Sequence, residues 1–532
     1  VEFDFVIVGA GSAGCAIANR LSADPRNKVA LIEAGGRDLS PWIHIPVGYF
    51  KTIKNPALNW MYKTEKDPGL NGRSLNWPRG KTLGGSSSIN GLLYVRGQAQ
   101  DYDNWRQMGN VGWSWDDVLP LFKRAENWED GESELRGGKG PLSVSHSRKS
   151  WKIVDAWVKA AEEAGFPYNP DYNGEKQDGV GYFQLTAKNG LRCSSAKAYL
   201  SEARSRDNLT ILTHVLTHKV LFDGKRAVGI EGSKKGQKVT IKARKEVILS
   251  AGAIGSPQIL MLSGIGPGSH LKDHGIEVLD EKAGVGQNLQ DHLQARPVFK
   301  CNVPTINTRA VGMINQAKIG LEYILKKTGP LTMAASLGTG YLKTRPELET
   351  PDIQFHIQPF SSQNPGTGEM DAFDAFTTSV LQLRPESTGH LELSSARAED
   401  HPHIHPNYLS TTPDQDTIVE GIRIARKICK QKSAMNFITE EASPGESIAD
   451  DDYAGLLEWA RNTATTIYHP TGTCKMGSDK NAVVDARLKV HGFEGLRVAD
   501  CSIMPIIVSG NTNAPAIMIG EKLSDMVLED AR

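Results

Sequence analysis

Residues 3–38 read FDFVIVGAGSAGCAIANRLSADPRNKVALIEAGGRD, and this stretch decides the fold. Phe5, Val6, Ile7 and Val8 form a short, unbroken apolar run, as a parallel strand covered on both faces requires. Gly9, Gly11 and Gly14 follow in GxGxxG spacing, and residues 13–21 read as a helix with small side chains toward the sheet. Val29, Ala30, Leu31 and Ile32 make a second buried strand that ends at Glu33, 24 residues after Gly9. Strand, glycine turn, helix, strand and acidic tip in this order are the parts of a dinucleotide-binding βαβ unit. Gly9 permits the tight turn, Gly11 lets the backbone approach a pyrophosphate, and Gly14 lets helix and strand pack closely. The free N–H groups at the helix start favour phosphate. The Glu33 carboxylate can accept from ribose hydroxyls and repels a 2′-phosphate. The unit alone does not separate a nicotinamide from a flavin dinucleotide.

The remaining composition narrows the class. The chain has 532 residues, with 61 Lys and Arg against 61 Asp and Glu, so its formal net charge is zero. Nucleic-acid binders carry a basic excess, and none is present. Disorder needs low hydrophobicity and high net charge, whereas 39% of this chain is hydrophobic. No run approaches the ~18 apolar residues of a spanning helix. No basic segment precedes the first strand, so a secretory signal is not visible and a cytoplasmic location is expected. Six cysteines, at 15, 193, 301, 429, 474 and 501, are too dispersed for a disulfide framework or a zinc pattern and read as reduced thiols.

Residues 78–97, PRGKTLGGSSSINGLLYVRG, contain Gly80-Lys81-Thr82, which matches the tail of a phosphate-binding P-loop. That motif needs glycine at position 75, where the chain has Leu75, so the reading fails. A GGSSS turn flanked by Arg79 and Asn90 suits a loop laid against a second part of a cofactor. Four further segments follow: 251–266, AGAIGSPQILMLSGIG; 284–292, GVGQNLQDH; 468–477, YHPTGTCKMG; and 497–521, RVADCSIMPIIVSGNTNAPAIMIGE. Taken in order, the five resemble the signatures of the glucose–methanol–choline (GMC) oxidoreductases, nearest the branch of bacterial alkanol and choline dehydrogenases. The resemblance spans nearly the whole chain.

It implies an α/β fold, with a Rossmann-like FAD-binding domain plus a substrate domain of antiparallel sheet and helices. It implies FAD as cofactor, bound at Gly9, Gly11, Ser12, Ala13, Gly14, Glu33, Ala34, Arg79, Gly84, Gly85, Asn90, Gly91, Leu92, Thr217, Ala251, Tyr468, Ala499, Asp500, Asn511 and Thr512. It implies oxidation of a primary alcohol to an aldehyde, with His469 as base and Asn511 as its partner. Ile89 stands where some relatives carry the histidine that links FAD covalently. Isoleucine cannot form that bond, so noncovalent FAD is expected.

The chemistry agrees. An alcohol is a poor acid, so a base must take its proton as the hydride leaves, and histidine is the natural base near neutral pH. Asn511 can hydrogen-bond the substrate oxygen but cannot take the proton. Val498, Ala499 and Asp500 read as a strand ending in a carboxylate suited to the ribityl or pyrophosphate region. Residues 514–523 read as a helix whose first N–H groups face the flavin, and by resemblance its dipole stabilises the reduced cofactor. His401, His403 and His405 invite a metal, since alternate strand residues share a face. Pro402 and Pro406 disrupt a regular strand, so a solvated edge and no metal are expected. Neither HExxH nor GxSxG occurs.

The FAD-binding domain is expected to combine residues 1–150, 190–300 and 455–532, and the substrate domain 151–189 and 301–454. Strands are expected at 353–357, 376–383 and 390–393. An amphipathic helix is expected at 417–430, with Ile418, Ile422, Ala425 and Cys429 on one stripe. Residues 319–327, IGLEYILKK, read as an amphipathic core helix, with a substrate entrance or a peripheral contact with the inner membrane as alternatives. A quinone or other carrier is favoured as electron acceptor over O2. Choline is the runner-up substrate, and would need aromatic and carboxylate groups such as Trp60, Tyr94, Phe360 and Glu369. A flavin-containing non-redox lyase stays open. The C-terminal segments argue against a nicotinamide enzyme. Oligomeric state is left open.

Overall fold

A computed structural model describes residues 2–362 and 369–531. The opening apolar run becomes the strand Glu2–Val8, paired in parallel with Val29–Ile32 on one side and with the long strand Gln237–Leu249 on the other. Leu209–Leu212 and Leu496–Val498 add parallel neighbours. Arg226–Lys234 and Leu216–Asp223 add an antiparallel arm, for seven strands in all. Val6 and Ile7 are fully buried, so both faces of the first strand are covered and its apolar run does not alternate.

The helix Ser12–Leu21 lies tight on the turn before it: a Cβ on Gly14 would sit 1.9 Å from the Gly9 carbonyl oxygen. The helix Asn513–Asp530 crosses it as closely, since a Cβ on Gly520 would meet the Ala13 carbonyl oxygen at 2.6 Å. At this crossing the fully buried Glu521 accepts hydrogen bonds from Arg20, Arg124 and the Tyr199 hydroxyl. The cluster clamps a helix from the start of the chain to one near its end.

The second sheet is antiparallel. Its main path runs Ile438–Ser443, Val298–Cys301, Ala375–Gln382, Ile353–Gln358, Gly338–Leu342 and Gly179–Tyr182, with Leu293–Ala295 and Thr465–Thr466 attached at the side. The strands expected near 353–357 and 376–383 are its centre. The third, His390–Glu392, pairs instead with His403–His405 in a separate ribbon. The helix Thr412–Cys429 begins five residues before the expected start, because Thr411 accepts from the Asp414 N–H and Pro413 occupies the first turn. Leu293–Ala295 and Thr465–Thr466 belong to this sheet, although both fell in the segments assigned above to FAD. Here the chain crosses between sheets without the Pro/Gly-rich linker that marks a boundary.

The helix Met313–Lys326 is not a core helix. Only Tyr323 is buried, while Met313 is 88%, Ile314 73%, Ile324 68% and Leu325 70% exposed. Among the described residues no helix is long and apolar enough to cross a membrane.

Candidate active site

A cavity opens between the two sheets. Its nucleotide end is lined by Gly9, Gly11, Ser12, Ala13, Glu33, Ala34, Thr217 and Ala251, and its middle by Arg79, Gly85, Asn90 and Gly91. Tyr468, His469, Asp500, Asn511 and Thr512 close it. Two helices point their starts into it. Neither Ser12–Leu21 nor Asn513–Asp530 has a side-chain cap or an acidic residue in its first turn, so their N–H groups are open to an anion. The Ser12 hydroxyl donates to Asn513 Oδ1 at 2.8 Å and joins the two starts. The buried Thr217 hydroxyl has no hydrogen-bond partner among the described residues. These donors fit a dinucleotide, whose central pyrophosphate and terminal rings lie along such a cavity.

Four expected cofactor residues stand behind the wall instead of on it. Gly14 sets the helix–turn distance described above. The Gly84 N–H donates to the Ala10 carbonyl, the Leu92 carbonyl accepts from Thr186, and Ala499 bridges Leu249 and Ser250. Three others line the cavity but already carry structural duties. Glu33 accepts from the Ala10 N–H at 3.0 Å and the Gly35 N–H at 2.8 Å, and burial pushes its carboxyl up to about 7. Asp500 was expected on the ribityl or pyrophosphate region. Its carboxylate lines the cavity and accepts from the Gly252 N–H, the Ser256 hydroxyl and the Ser502 N–H, tying together two helix starts. Arg79 donates to the carbonyls of Pro78 and Tyr468 and pins Tyr468 in the left-handed region at φ 70°.

At the far end the geometry becomes chemical. The His469 backbone N–H donates to Asp291 Oδ1 at 2.7 Å, and the same buried carboxylate accepts from Thr466 and Tyr408. The His469 ring is held on both sides. Its Nδ1 lies 3.0 Å from His292 Nδ1, and its Nε2 lies 3.1 Å from the Asn511 amide nitrogen. His292 Nε2 is 3.0 Å from the Leu383 carbonyl, which can only accept, so that nitrogen carries the hydrogen. Neutral His292 then has an accepting Nδ1, which requires the hydrogen of His469 on its own Nδ1. The lone pair of His469 is thereby left on Nε2, beside Asn511. Gln354 Nε2 donates to Asn511 Oδ1 at 3.4 Å and orients that amide. Burial, then the neighbouring His292, His356 and Arg79, hold His469 well below the ordinary imidazole pKa, and burial brings His292 down to about 4. Both rings are neutral at physiological pH.

Residues 3–294 match the family model for the N-terminal part of the GMC oxidoreductases, and residues 385–520 match that for the C-terminal part. The chain belongs to the GMC oxidoreductases. It is 43% identical to the mitochondrial choline dehydrogenase of Mus musculus, over 99% of this chain and 89% of that protein. It is 43% identical to an alcohol dehydrogenase [acceptor] of Pseudomonas putida, over 99% and 96%. Among solved structures, pyridoxine 4-oxidase from Mesorbium loti superposes with a TM-score of 0.88 at 30% identity, covering 98% of each chain. A variant of formate oxidase from Aspergillus oryzae RIB40, studied for FAD modification, superposes with a TM-score of 0.91 at 28% identity, covering 99% and 98%. FAD is the cofactor of this GMC oxidoreductase, and its reaction is the oxidation of a CH–OH group.

Several side chains of the GMC site were hidden in the sequence. Asp291 and His292 lie inside the quoted segment 284–292, but nothing in its spacing says that they reach His469. Arg192, which donates to the side chain and carbonyl of Asn90, carries no motif at all. His356, Gln358, Gln294 and Arg296 line the substrate end; the alternation of apolar and polar residues at 353–358 was the signal for two of them. Of the aromatic and carboxylate candidates, Trp60, Phe360 and Glu369 line the cavity. Tyr94 does not, and its hydroxyl accepts from Arg96 instead. The HxHxH residues diverge: His401 packs on Tyr62, His403 bonds Glu65, and His405 stacks on His390. The ligand atoms that do converge, within 4.8 Å, belong to His390, Glu392 and His405.

Proposed function

We propose that this chain oxidises a primary alcohol to an aldehyde with His469 as general base. One observation carries the reading: the hydrogen-bond chain from the Leu383 carbonyl through His292 leaves the His469 lone pair on Nε2, at the wall of the cavity. Bound FAD supplies the hydride acceptor, which no side chain can provide. The alcohol hydroxyl takes the place of the Asn511 amide on Nε2 and gives up its proton there as the C–H hydride departs. The Asn511 amide is then available to donate to the alcohol oxygen. Protonated His469 keeps its Nδ1–H on His292, so the new charge is met by a neutral acceptor that is itself polarised by Leu383.

Ile89 lines the cavity and offers no nucleophile, which supports noncovalent FAD. Acid precipitation should then release all of the yellow colour to the supernatant. Transfer of electrons to a quinone or other carrier is favoured over O2 by the similarity to the alcohol dehydrogenase [acceptor]. The exposed apolar side chains of Met313–Lys326, flanked by exposed Lys318 and Lys326, support a peripheral contact with an anionic membrane surface.

The deciding experiment is anaerobic stopped-flow reduction of the flavin by primary alcohols, followed by admission of air. His469→Ala should slow reduction at least ~100-fold with FAD retained, the scale of a lost general base. Reduction within a few-fold of wild type would remove His469 from the role. Slow reoxidation in air supports the carrier-linked reading, and fast reoxidation the oxidase.

A further inference from the structure

We propose that the alcohol oxidised here is a hydroxy acid, and that Arg296 binds its carboxylate. The proposal rests on the reading of this cavity as an alcohol site and names the class of alcohol.

The substrate end of the cavity has a polar floor. Along Ile353–Gln358, Ile353, Phe355 and Ile357 are fully buried in the core, while His356 and Gln358 line the cavity and Gln354 reaches Asn511. Gln294 and Arg296, two residues apart, face the same space. Three buried atoms of this floor have no hydrogen-bond partner among the described residues: Arg296 Nε, His356 Nε2 and Gln354 Oε1. Arg296 Nε is a donor that an anion can meet, whereas Gln354 Oε1 is an acceptor and needs a donor. An alkyl chain satisfies none of them.

Arg296 decides the charge. Its guanidinium donates to Gln358 Oε1 at 2.9 Å and is 3.5 Å from the Ser379 hydroxyl, both neutral acceptors, and no described carboxylate forms an ion pair with it. A guanidinium stays charged, and a half-buried one that lacks an anion favours a ligand that brings one. The other carboxylates of the cavity are elsewhere engaged or peripheral. Glu33 and Asp500 bond backbone N–H groups at the nucleotide end, and Glu369 is exposed. Asp371 bears electrostatically on Arg296, but its Oδ2 accepts from Ser361. A planar guanidinium that lines the cavity and has no carboxylate partner among the described residues matches a carboxylate ligand. A quaternary ammonium in the same place would meet a like charge. The relatives that oxidise choline therefore do not set the substrate of this chain. In the reaction the carboxylate is a spectator: the O–H proton goes to His469 Nε2, the C–H bond yields the hydride to FAD, and the C=O bond forms.

The test uses the holoenzyme with two readouts. Anaerobic flavin reduction is measured with ω-hydroxycarboxylates of three to six carbons, with the matched diols and with choline. Calorimetry measures binding of butyrate, which has no hydroxyl to oxidise. The best hydroxy acid should exceed its diol at least about tenfold in the second-order reduction rate, as expected for a charge-assisted pair. Butyrate should bind saturably. Arg296→Gln should lower the hydroxy acid to diol ratio at least about tenfold and abolish butyrate binding, and Arg296→Lys should retain part of both. Equal rates for acid and diol without butyrate binding, or choline as the fastest substrate, would overturn the proposal. If no alcohol reduces the flavin, the alcohol reading fails, and butyrate binding still decides whether Arg296 is an anion site.

Discussion

His469 acts as a base only while its ring is neutral, and every neighbour biases it that way. Burial and the adjacent His292, His356 and Arg79 all lower its pKa. Neutral His469 therefore persists as the pH falls past the ordinary imidazole value. The second-order rate of flavin reduction should stay flat from about pH 8 to about pH 6.5 and fall only below it. An acid limb centred above pH 7 would contradict this. His292→Ala should slow reduction at least about tenfold and move the acid limb, because the ring it positions can then flip its tautomer; FAD should stay bound. Equal rates and an unmoved limb would reduce His292 to packing. His469 and Asn511 were legible as motif residues. The partnership of His292 was not, because it spans 177 residues and only the fold closes that distance.

At the scale of elements, the opening βαβ unit was legible because its signals are local: an unbroken apolar strand, a glycine turn and an acidic tip. The helix Met313–Lys326 was misread for the opposite reason. Periodicity reveals an apolar stripe but not whether a neighbour covers it, and here Met313, Ile314, Ile324 and Leu325 face outward. Replacing Leu321, Ile324 and Leu325 together by Ser should abolish flotation with phosphatidylglycerol vesicles without lowering Tm, since all three are exposed. Flotation that survives the change would assign the stripe to another partner. The crossing of Ser12–Leu21 and Asn513–Asp530 carries the opposite expectation. Glu521→Ala leaves Arg20 and Arg124 without their shared buried anion, and should cost about 1.5–3 kcal/mol of stability, the scale of lost hydrogen bonds to a charged group. Denaturant titration measures it, and a loss under 1 kcal/mol would show the cluster to be dispensable.

For the whole molecule, buried neutral histidines make stability depend on acid. His292 is lowered to about 4 and His356 to about 3, against about 6.5 when unfolded. Between those values the unfolded chain binds more protons, so stability is fully present above about pH 6.5 and declines as the pH drops. His292 alone accounts for on the order of 3 kcal/mol over that window. Thermal melts from pH 8 to pH 4 should show Tm level and then falling, with a gentler fall in His356→Gln. A Tm that is constant to pH 4 would contradict it. The division of the chain was only coarsely legible at this scale. Leu293–Ala295 and Thr465–Thr466 cross to the antiparallel sheet without any compositional break.

The Ser12–Asn513 bond joins residues 501 positions apart, and it sits where two helix starts face the cavity. During synthesis, at roughly 5–20 residues per second, the first βαβ unit waits about 25–100 s for that partner. The dinucleotide cannot be grasped from both sides until the helix Asn513–Asp530 has left the ribosome. Cofactor loading in this sense waits for the synthesis of residues 513–530, and a chain terminated before them would emerge colourless.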